Sequence, residues 1–299
     1  MNNVENKKFL DPNLKNKLKT VEDKIQLYNF KGDFLPLPTE IEISESGTCN
    51  RSCSFCPRSA KDFKDVKEFI SLELHEKLCK ELAELNYKGT VRYSGFVEPL
   101  LDKNIYKLIR MVKDNIPNTN IELVTNGDVL NDKRLNKLFD NGLNRILISA
   151  YDSKDDADKL EKLCIDANLS KKQYIVRHRY YNEEKDFGIT LSNRSGLMQN
   201  AEFKIASLNE PLKKPCYIPS YTFFLDYQGD VLMCPHDWGK KVILGNLNKQ
   251  KLIDIWFSKK SINIRKMLHK SNRNFNPCNV CDVEGTLMGQ KNSEYYSTS

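Results

Sequence analysis

Gly47-Thr-Cys-Asn-Arg-Ser-Cys-Ser-Phe-Cys-Pro57 comes just after Glu40-Ile-Glu-Ile-Ser-Glu45, an alternating run that reads as a strand. The stretch sets Cys49, Cys53 and Cys56 in C-x3-C-x2-C spacing. Three thiolates spaced this way can hold three corners of a 4Fe–4S cube and leave the fourth iron open. Ferredoxin-type electron carriers instead fill all four corners with cysteine. An open iron can chelate a small ligand and take part in chemistry. Zinc and a disulfide are the alternatives, although zinc sites favour paired C-x2-C knuckles and four ligands in all.

Working outward, short apolar runs alternate with amphipathic helices. Ile70 to Leu85, Ile105 to Ile116, Asp132 to Phe139 and Lys154 to Ala167 read as helices. Gly89 to Ser94, Asn120 to Thr125, Arg145 to Ala150 and Gln173 to Tyr180 read as strands, with Phe187 to Ser192 as a candidate sixth. That order calls for parallel strands with right-handed crossovers, in an α/β partial (β/α)6 barrel whose function gathers at the C-terminal strand ends. Before it, residues 1–36 form a polar, helix-prone extension closed by Pro36 and Pro38. The core is placed at 37–205, and residues 206–299 are a smaller α+β unit with a β-hairpin.

The 299 residues suffice for one large domain or two modest ones. No apolar stretch of the kind that starts a signal peptide or spans a membrane occurs, which reads as a cytoplasmic protein without a membrane partner. Nine cysteines, an odd number, then read as metal ligands rather than disulfides. The net charge of +7, spread over 47 basic and 40 acidic residues, reads as solvated surface and gives no pointer to nucleic acid. The basic stretch Lys259 to Arg273 is assigned to a helix facing solvent, with an acidic partner as the alternative. Cys79 and Cys164 lie among apolar neighbours on helices and read as packing residues.

With Phe55 just before the third cysteine, the first motif resembles the radical S-adenosylmethionine (SAM) superfamily. The resemblance implies that SAM binds the open iron, with Phe55 beside its adenine. Ser94-Gly-Phe-Val-Glu-Pro-Leu-Leu101 is similar to that family's Gly-Gly-Glu-Pro segment, which implies that Gly95 and Glu98 hold the SAM ammonium group. Val97 departs from the pattern, since many members carry glycine there. Thr125-Asn-Gly127 is another family feature, also readable as a plain turn. Ser149 would touch the SAM ribose or carboxylate, and Arg177, in Arg177-His-Arg179, the carboxylate.

Cys216, Cys234, Cys278 and Cys281 form a second set. They are interleaved with a hairpin around Gln228-Gly-Asp230, with Leu244-Gly-Asn-Leu and with Leu252-Ile-Asp-Ile-Trp256. The order resembles the SPASM/twitch extension of radical SAM enzymes. Four thiolates satisfy all four irons of one auxiliary 4Fe–4S cluster, which suits electron relay; a zinc knuckle is the competing reading. His236 is read as structural, or else as a further ligand or active-site residue. Leu191-Ser-Asn-Arg-Ser-Gly196 resembles a segment at the SAM pocket of such enzymes and makes Arg194 the catalytic candidate, with a capped surface turn as the alternative. The resemblance implies a dehydrogenase of a small polyol or aminocyclitol, with a flavodoxin- or ferredoxin-type reductant as partner. Modification of a precursor peptide is the second enzymatic reading, and an electron carrier or zinc-bound interaction protein is the reading from another class.

Overall fold

A computed structural model of the chain describes residues 12–60, 63–180 and 191–298. Helix α1 (Leu14–Asp23) leads into a hairpin of β1 (Leu27–Phe30) and β2 (Asp33–Pro36), turned by Lys31 and Gly32 at φ 56° and 100°. Strand β3 (Glu40–Ser44) follows. The cysteine loop then runs between the short antiparallel pair β4 (Ser46–Gly47) and β5 (Val66–Phe69). Next come α2 (Leu72–Glu84), β6 (Thr90–Tyr93), α3 (Ile105–Asn115), β7 (Asn120–Thr125), α4 (Asp132–Asp140), β8 (Arg145–Ala150), α5 (Lys154–Asp166) and β9 (Tyr174–His178). The last part holds β10 (Thr222–Asp226), β11 (Asp230–Leu232), β12 (Ile243–Asn246), α6 (Leu252–Trp256), α7 (Lys259–His269) and α8 (Gln290–Thr298).

Short polar side chains set the helix starts. Ser71 Oγ, Asn131 Oδ1, Ser153 Oγ and Ser258 Oγ each accept the backbone N–H three residues on, at 3.0–3.1 Å. These bonds satisfy donors that the first helical turn leaves open. The expected strands and helices of the core appear within a residue or two of their predicted limits. Phe187 to Ser192, the candidate sixth strand, falls mostly outside the described residues. The sheet nevertheless has six parallel strands, in the order β10-β3-β6-β7-β8-β9, because β10 pairs in register with β3 from Thr222 opposite Glu40 to Asp226 opposite Ser44. β11 and β12 extend that edge antiparallel.

Period-two alternation divides the sheet into faces. Ile41, Ile43, Val91 and Tyr93 face the helices in the main core, with Leu78, Leu82 and Leu108. Across the inner face Arg92, Glu122 and Arg145 stand in register on β6, β7 and β8, and Arg92 also pairs with Glu40 on β3. Barrel interiors are usually packed with branched apolar side chains. Here a ladder of opposite charges fills the floor.

The N- and C-terminal segments meet at Pro36. Its carbonyl accepts from Trp256 Nε1 at 2.9 Å and from Tyr296 Oη at 2.7 Å. The basic stretch departs from its solvent-facing reading at two positions. Arg265 is buried between the Trp256 and Tyr296 rings and donates to the Pro219 and Trp256 carbonyls. Arg273 is also buried and donates to the carbonyls of Lys214, Pro215, Val283 and Glu284. Both satisfy backbone acceptors that packing removes from water. Cys79 and Cys164 are buried on α2 and α5, as the packing reading expects. No helix among the described residues is long and apolar enough to cross a membrane.

Candidate active site

Every strand-end motif converges on one end of the sheet. Cys49, Cys53 and Cys56 line a cavity of about 160 Å³ together with Phe55, Gly95, Val97, Glu98, Ser149, Tyr151, Arg194 and Trp238. Burial raises all three thiol pKa values, Cys53 to about 11, and each cysteine has another cysteine or Arg58, Arg51 or Arg194 within electrostatic reach. The loop carrying them is held from three sides. Asn50 and Arg51 bind Asp128 beyond β7, and Arg51 also forks onto Asp152 beyond β8 at 2.7 Å from each oxygen. Arg58 pairs with Asp65 and donates to the carbonyls of Gly47, at 3.0 Å, and Phe96.

Glu98 is almost wholly buried. Its carboxylate accepts from Thr125 Oγ1 at 2.7 Å, Asn126 N at 2.7 Å and Leu100 N at 3.0 Å. Burial pushes its pKa up, and these three donors oppose the shift. A carboxylate has about four acceptor positions, so roughly one remains for a ligand ammonium. Thr125-Asn-Gly127 is therefore more than a turn, because it grips Glu98. Gly95, at φ 101°, is required by both conformation and space: a Cβ there would lie 2.9 Å from the Phe224 ring. Val97 packs beside Phe96, Phe224, Leu232 and Trp238, so its departure from glycine thickens an apolar wall.

Ser149 and Arg177 face each other across β8 and β9, and Arg177 Nη2 donates to Ser149 Oγ at 2.7 Å. Ser149 lines the first cavity. Arg177 lines a second one, of about 290 Å³, with Glu42, Arg92, Arg194, His236 and Trp238. Its far wall is helix α1, through Asn13 and Lys17. Ser94, Gly95, Val124, Arg194 and Trp238 belong to both walls, so the two spaces adjoin.

Arg194 sits in three consecutive left-handed residues, Arg194, Ser195 and Gly196, at φ 46°, 55° and 85°. Such geometry persists for non-glycine residues only where the surroundings enforce it. Asn193 does so. Its Nδ2 donates to the carbonyls of Ala206 and Val280, its N donates to Asp282 Oδ2, and its Oδ1 accepts from Gly196 N. The Arg194 side chain lines both cavities, with Cys56 and Asp282 within electrostatic reach. Its Nη1 lies 3.5 Å from His236 Nδ1, and its Nε is buried without a hydrogen-bond partner. Burial, with Arg194 and Lys17 nearby, pushes the His236 imidazole down to about 3 and keeps it neutral.

The second cysteine set is closed off. Cys216, Cys234 and Cys281 are buried and Cys278 half-buried, under Val21, Ile218, Tyr221, Met233 and Met288. The four lie within electrostatic reach of one another, and burial raises every one of their pKa values. Arg273 braces the backbone before Cys216 and after Cys281, and its charge opposes the shift at Cys216. No His, Cys, Asp or Glu trio among the described residues is arranged to hold a single metal ion. The first set instead borders the cavity of about 160 Å³. Three thiols on an open cavity and four gathered under apolar cover suit two iron–sulfur cubes.

Tyr151, Trp238, Arg58, Asn193 and Arg273 were not singled out from the sequence. Tyr151 packs its ring 5.3 Å from that of Phe55, and Trp238 lies 4.4 Å from Phe96. Position next to a motif was the available signal for Tyr151, Arg58 and Asn193. Nothing local marks Arg273.

The comparisons agree with this geometry. The Radical SAM superfamily pattern matches residues 43–184, and the SPASM iron–sulfur cluster-binding domain matches residues 216–282. The S-adenosyl-L-methionine-dependent 2-deoxy-scyllo-inosamine dehydrogenase of Niallia circulans is 29% identical over 234 residues, 78% of this chain and 88% of that protein. A GTP 3',8-cyclase of Clostridium perfringens is 33% identical over 146 residues, 48% of this chain and 44% of that protein. The crystal structure of BtrN in complex with AdoMet and 2-DOIA matches with a TM-score of 0.69 and 27% identity, covering 85% of this chain and 97% of that one. Native anSMEcpe with bound AdoMet, at 13% identity and TM-score 0.53, shares the fold. The chain therefore belongs to the radical SAM superfamily and carries a SPASM iron–sulfur domain behind its partial barrel.

Proposed function

We propose that the chain oxidises a secondary alcohol on a small polyhydroxylated ring, a polyol or aminocyclitol, to a ketone. One observation carries the reading: a small polar cavity adjoins the open three-cysteine site, and Arg194 lines both, with Cys56 and Asp282 within electrostatic reach. The likeness to a 2-deoxy-scyllo-inosamine dehydrogenase supports the substrate class. A cavity of about 290 Å³, walled by α1 and by Pro235 to Trp238, lies at the small end of ligand pockets and suits one ring better than a peptide.

When bound, SAM beside a cluster held by Cys49, Cys53 and Cys56 would supply hydrogen abstraction from a carbinol carbon, and a cluster held by Cys216, Cys234, Cys278 and Cys281 would supply an electron acceptor. The protein handles the proton and the geometry. Glu42 lines the cavity and accepts from Ser94 Oγ at 2.6 Å. Burial and the neighbouring Glu40 raise its pKa, so it can hold the proton that leaves the alcohol oxygen. Arg194 remains protonated and donates to substrate oxygen. Val97, Phe96 and Trp238 keep water from the reacting carbon. A flavodoxin- or ferredoxin-type protein is the reductant in this reading.

The test is an anaerobic reaction of reconstituted protein with SAM, a low-potential reductant and a panel of ring polyols and aminocyclitols deuterated at the carbinol carbon. One ketone should form per 5′-deoxyadenosine, with deuterium carried into the nucleoside. SAM cleavage without ketone from any ring substrate would end the dehydrogenase reading.

A further inference from the structure

Thr125-Asn-Gly127 closes β7 at the first cavity, and its middle residue touches two parts of the site at once. The Asn126 backbone N–H donates to Glu98 Oε2 at 2.7 Å. Its side-chain Nδ2 reaches Asn50 Oδ1 at 2.8 Å and Cys49 Sγ at 3.9 Å. The residue is buried and lines the cavity. A ring of bonds orients its amide. Asn126 Oδ1 accepts from Asp128 N at 3.0 Å, and Asn50 Nδ2 donates to Asp128 Oδ2 at 2.6 Å, which leaves Nδ2 turned toward the cysteine loop.

Cys49 Sγ also accepts from Arg51 N at 3.5 Å, a backbone bond that does not depend on the side chain at position 51. Among the described residues, Asn126 is the side chain that donates to a sulfur of the first set. A neutral thiol accepts weakly, which agrees with the long contact. A thiolate that holds iron carries negative charge, and a donor aimed at it forms a charge-assisted bond. An added electron raises the charge on the sulfurs, so such a donor favours the reduced state.

We propose that Asn126 is a positioning residue that raises the reduction potential of a cluster held by Cys49, Cys53 and Cys56, through its amide donor to the Cys49 sulfur. The same residue ties that cysteine loop to Glu98, the carboxylate with an acceptor position left for a ligand ammonium. The inference rests on the three-cysteine site and not on the ring-polyol reading, because its test needs no substrate.

The test is a potentiometric titration of anaerobically reconstituted full-length protein, followed by electron paramagnetic resonance. The first cluster is recognised as the signal that SAM perturbs, and the second cluster serves as an internal control. Asn126→Ser keeps an oxygen for the Asp128 N–H and removes the amide donor. Asn50→Ala loosens the same loop and keeps that donor. At a fixed potential, Asn126→Ser should lower the reduced-to-oxidised ratio of the first cluster about threefold to tenfold, the upper figure being about 59 mV for one electron. The second cluster should not move, and Asn50→Ala should leave both near the unaltered protein. An unchanged first potential in Asn126→Ser would overturn the proposal. An equal fall in Asn50→Ala would also overturn it by assigning the effect to a loosened loop, as would a common shift of both clusters. Iron analysis is run on each sample. Failure of Asn126→Ser to take up iron at the first set would make Asn126 a folding residue and end the proposal as well.

Discussion

Cys49, Cys53 and Cys56 lie half-buried on a loop held by ion pairs, whereas Cys216, Cys234 and Cys281 are buried beneath Val21, Met233 and Met288, with Cys278 half-buried beside them. The first set opens onto a cavity, and the second presents four thiols packed among apolar side chains. Donor number and enclosure together separate two roles for the same ligand chemistry. Three donors beside an open cavity leave a metal position for a small molecule. Four enclosed donors leave none, which suits a centre that exchanges electrons only. Arg194 and Asn193 join the two, since one backbone turn is bonded to the second loop and aims its side chain at the first cavity.

The contrast breaks most severely if the first set is removed. Changing Cys49, Cys53 and Cys56 together to alanine should abolish SAM cleavage and reduce iron from about eight to about four per chain, read by iron analysis and 5′-deoxyadenosine release. Retained cleavage would mean that the open site is elsewhere.

A second variant asks whether the closed set depends on its brace. Arg273→Met leaves buried carbonyls at Lys214, Pro215, Val283 and Glu284 without their donor. The expected loss is about 3–5 kcal/mol of stability in denaturant unfolding, with iron lost from the second set before the first. Iron loss in the opposite order would show that Arg273 does not serve the second loop.

The smallest effect concerns the helix layer behind the open site. His75 is fully buried against Tyr93, its Nε2 2.8 Å from the phenol oxygen, and burial lowers its pKa to about 3. The unfolded chain takes up that proton near pH 6.5, so the stability is complete above that pH and is lost as pH falls from 6.5 toward 3. His75→Gln should reduce the stability difference between pH 7 and pH 5 by about 2 kcal/mol in urea unfolding. An unchanged acid slope would mean that His75 does not stay neutral inside the fold.

The same contrast explains what the sequence disclosed. Cysteine spacing, Gly95, Glu98 and the alternation of short apolar runs with amphipathic helices are local signals, and the core strands and helices stand where that alternation places them. The pairing of β10 with β3 joins residues about 180 positions apart in sequence, and no local pattern encodes it. Arg92, Glu122 and Arg145 likewise look like surface charges until strand register aligns them inside the barrel. Helix α1 was legible as a helix, but its place over the second cavity depends on Val21 and Glu22 meeting residues near the C-terminus.

The central claim, an open site that makes the substrate radical and a closed site that takes its electron, is tested most directly by removing Cys278 and Cys281. The double alanine variant must first be shown by circular dichroism and ring-substrate binding to keep its fold, because metal binding and folding are linked. It should then still cleave SAM and move substrate hydrogen into 5′-deoxyadenosine while forming no ketone. Undiminished ketone formation by the folded variant would contradict the account.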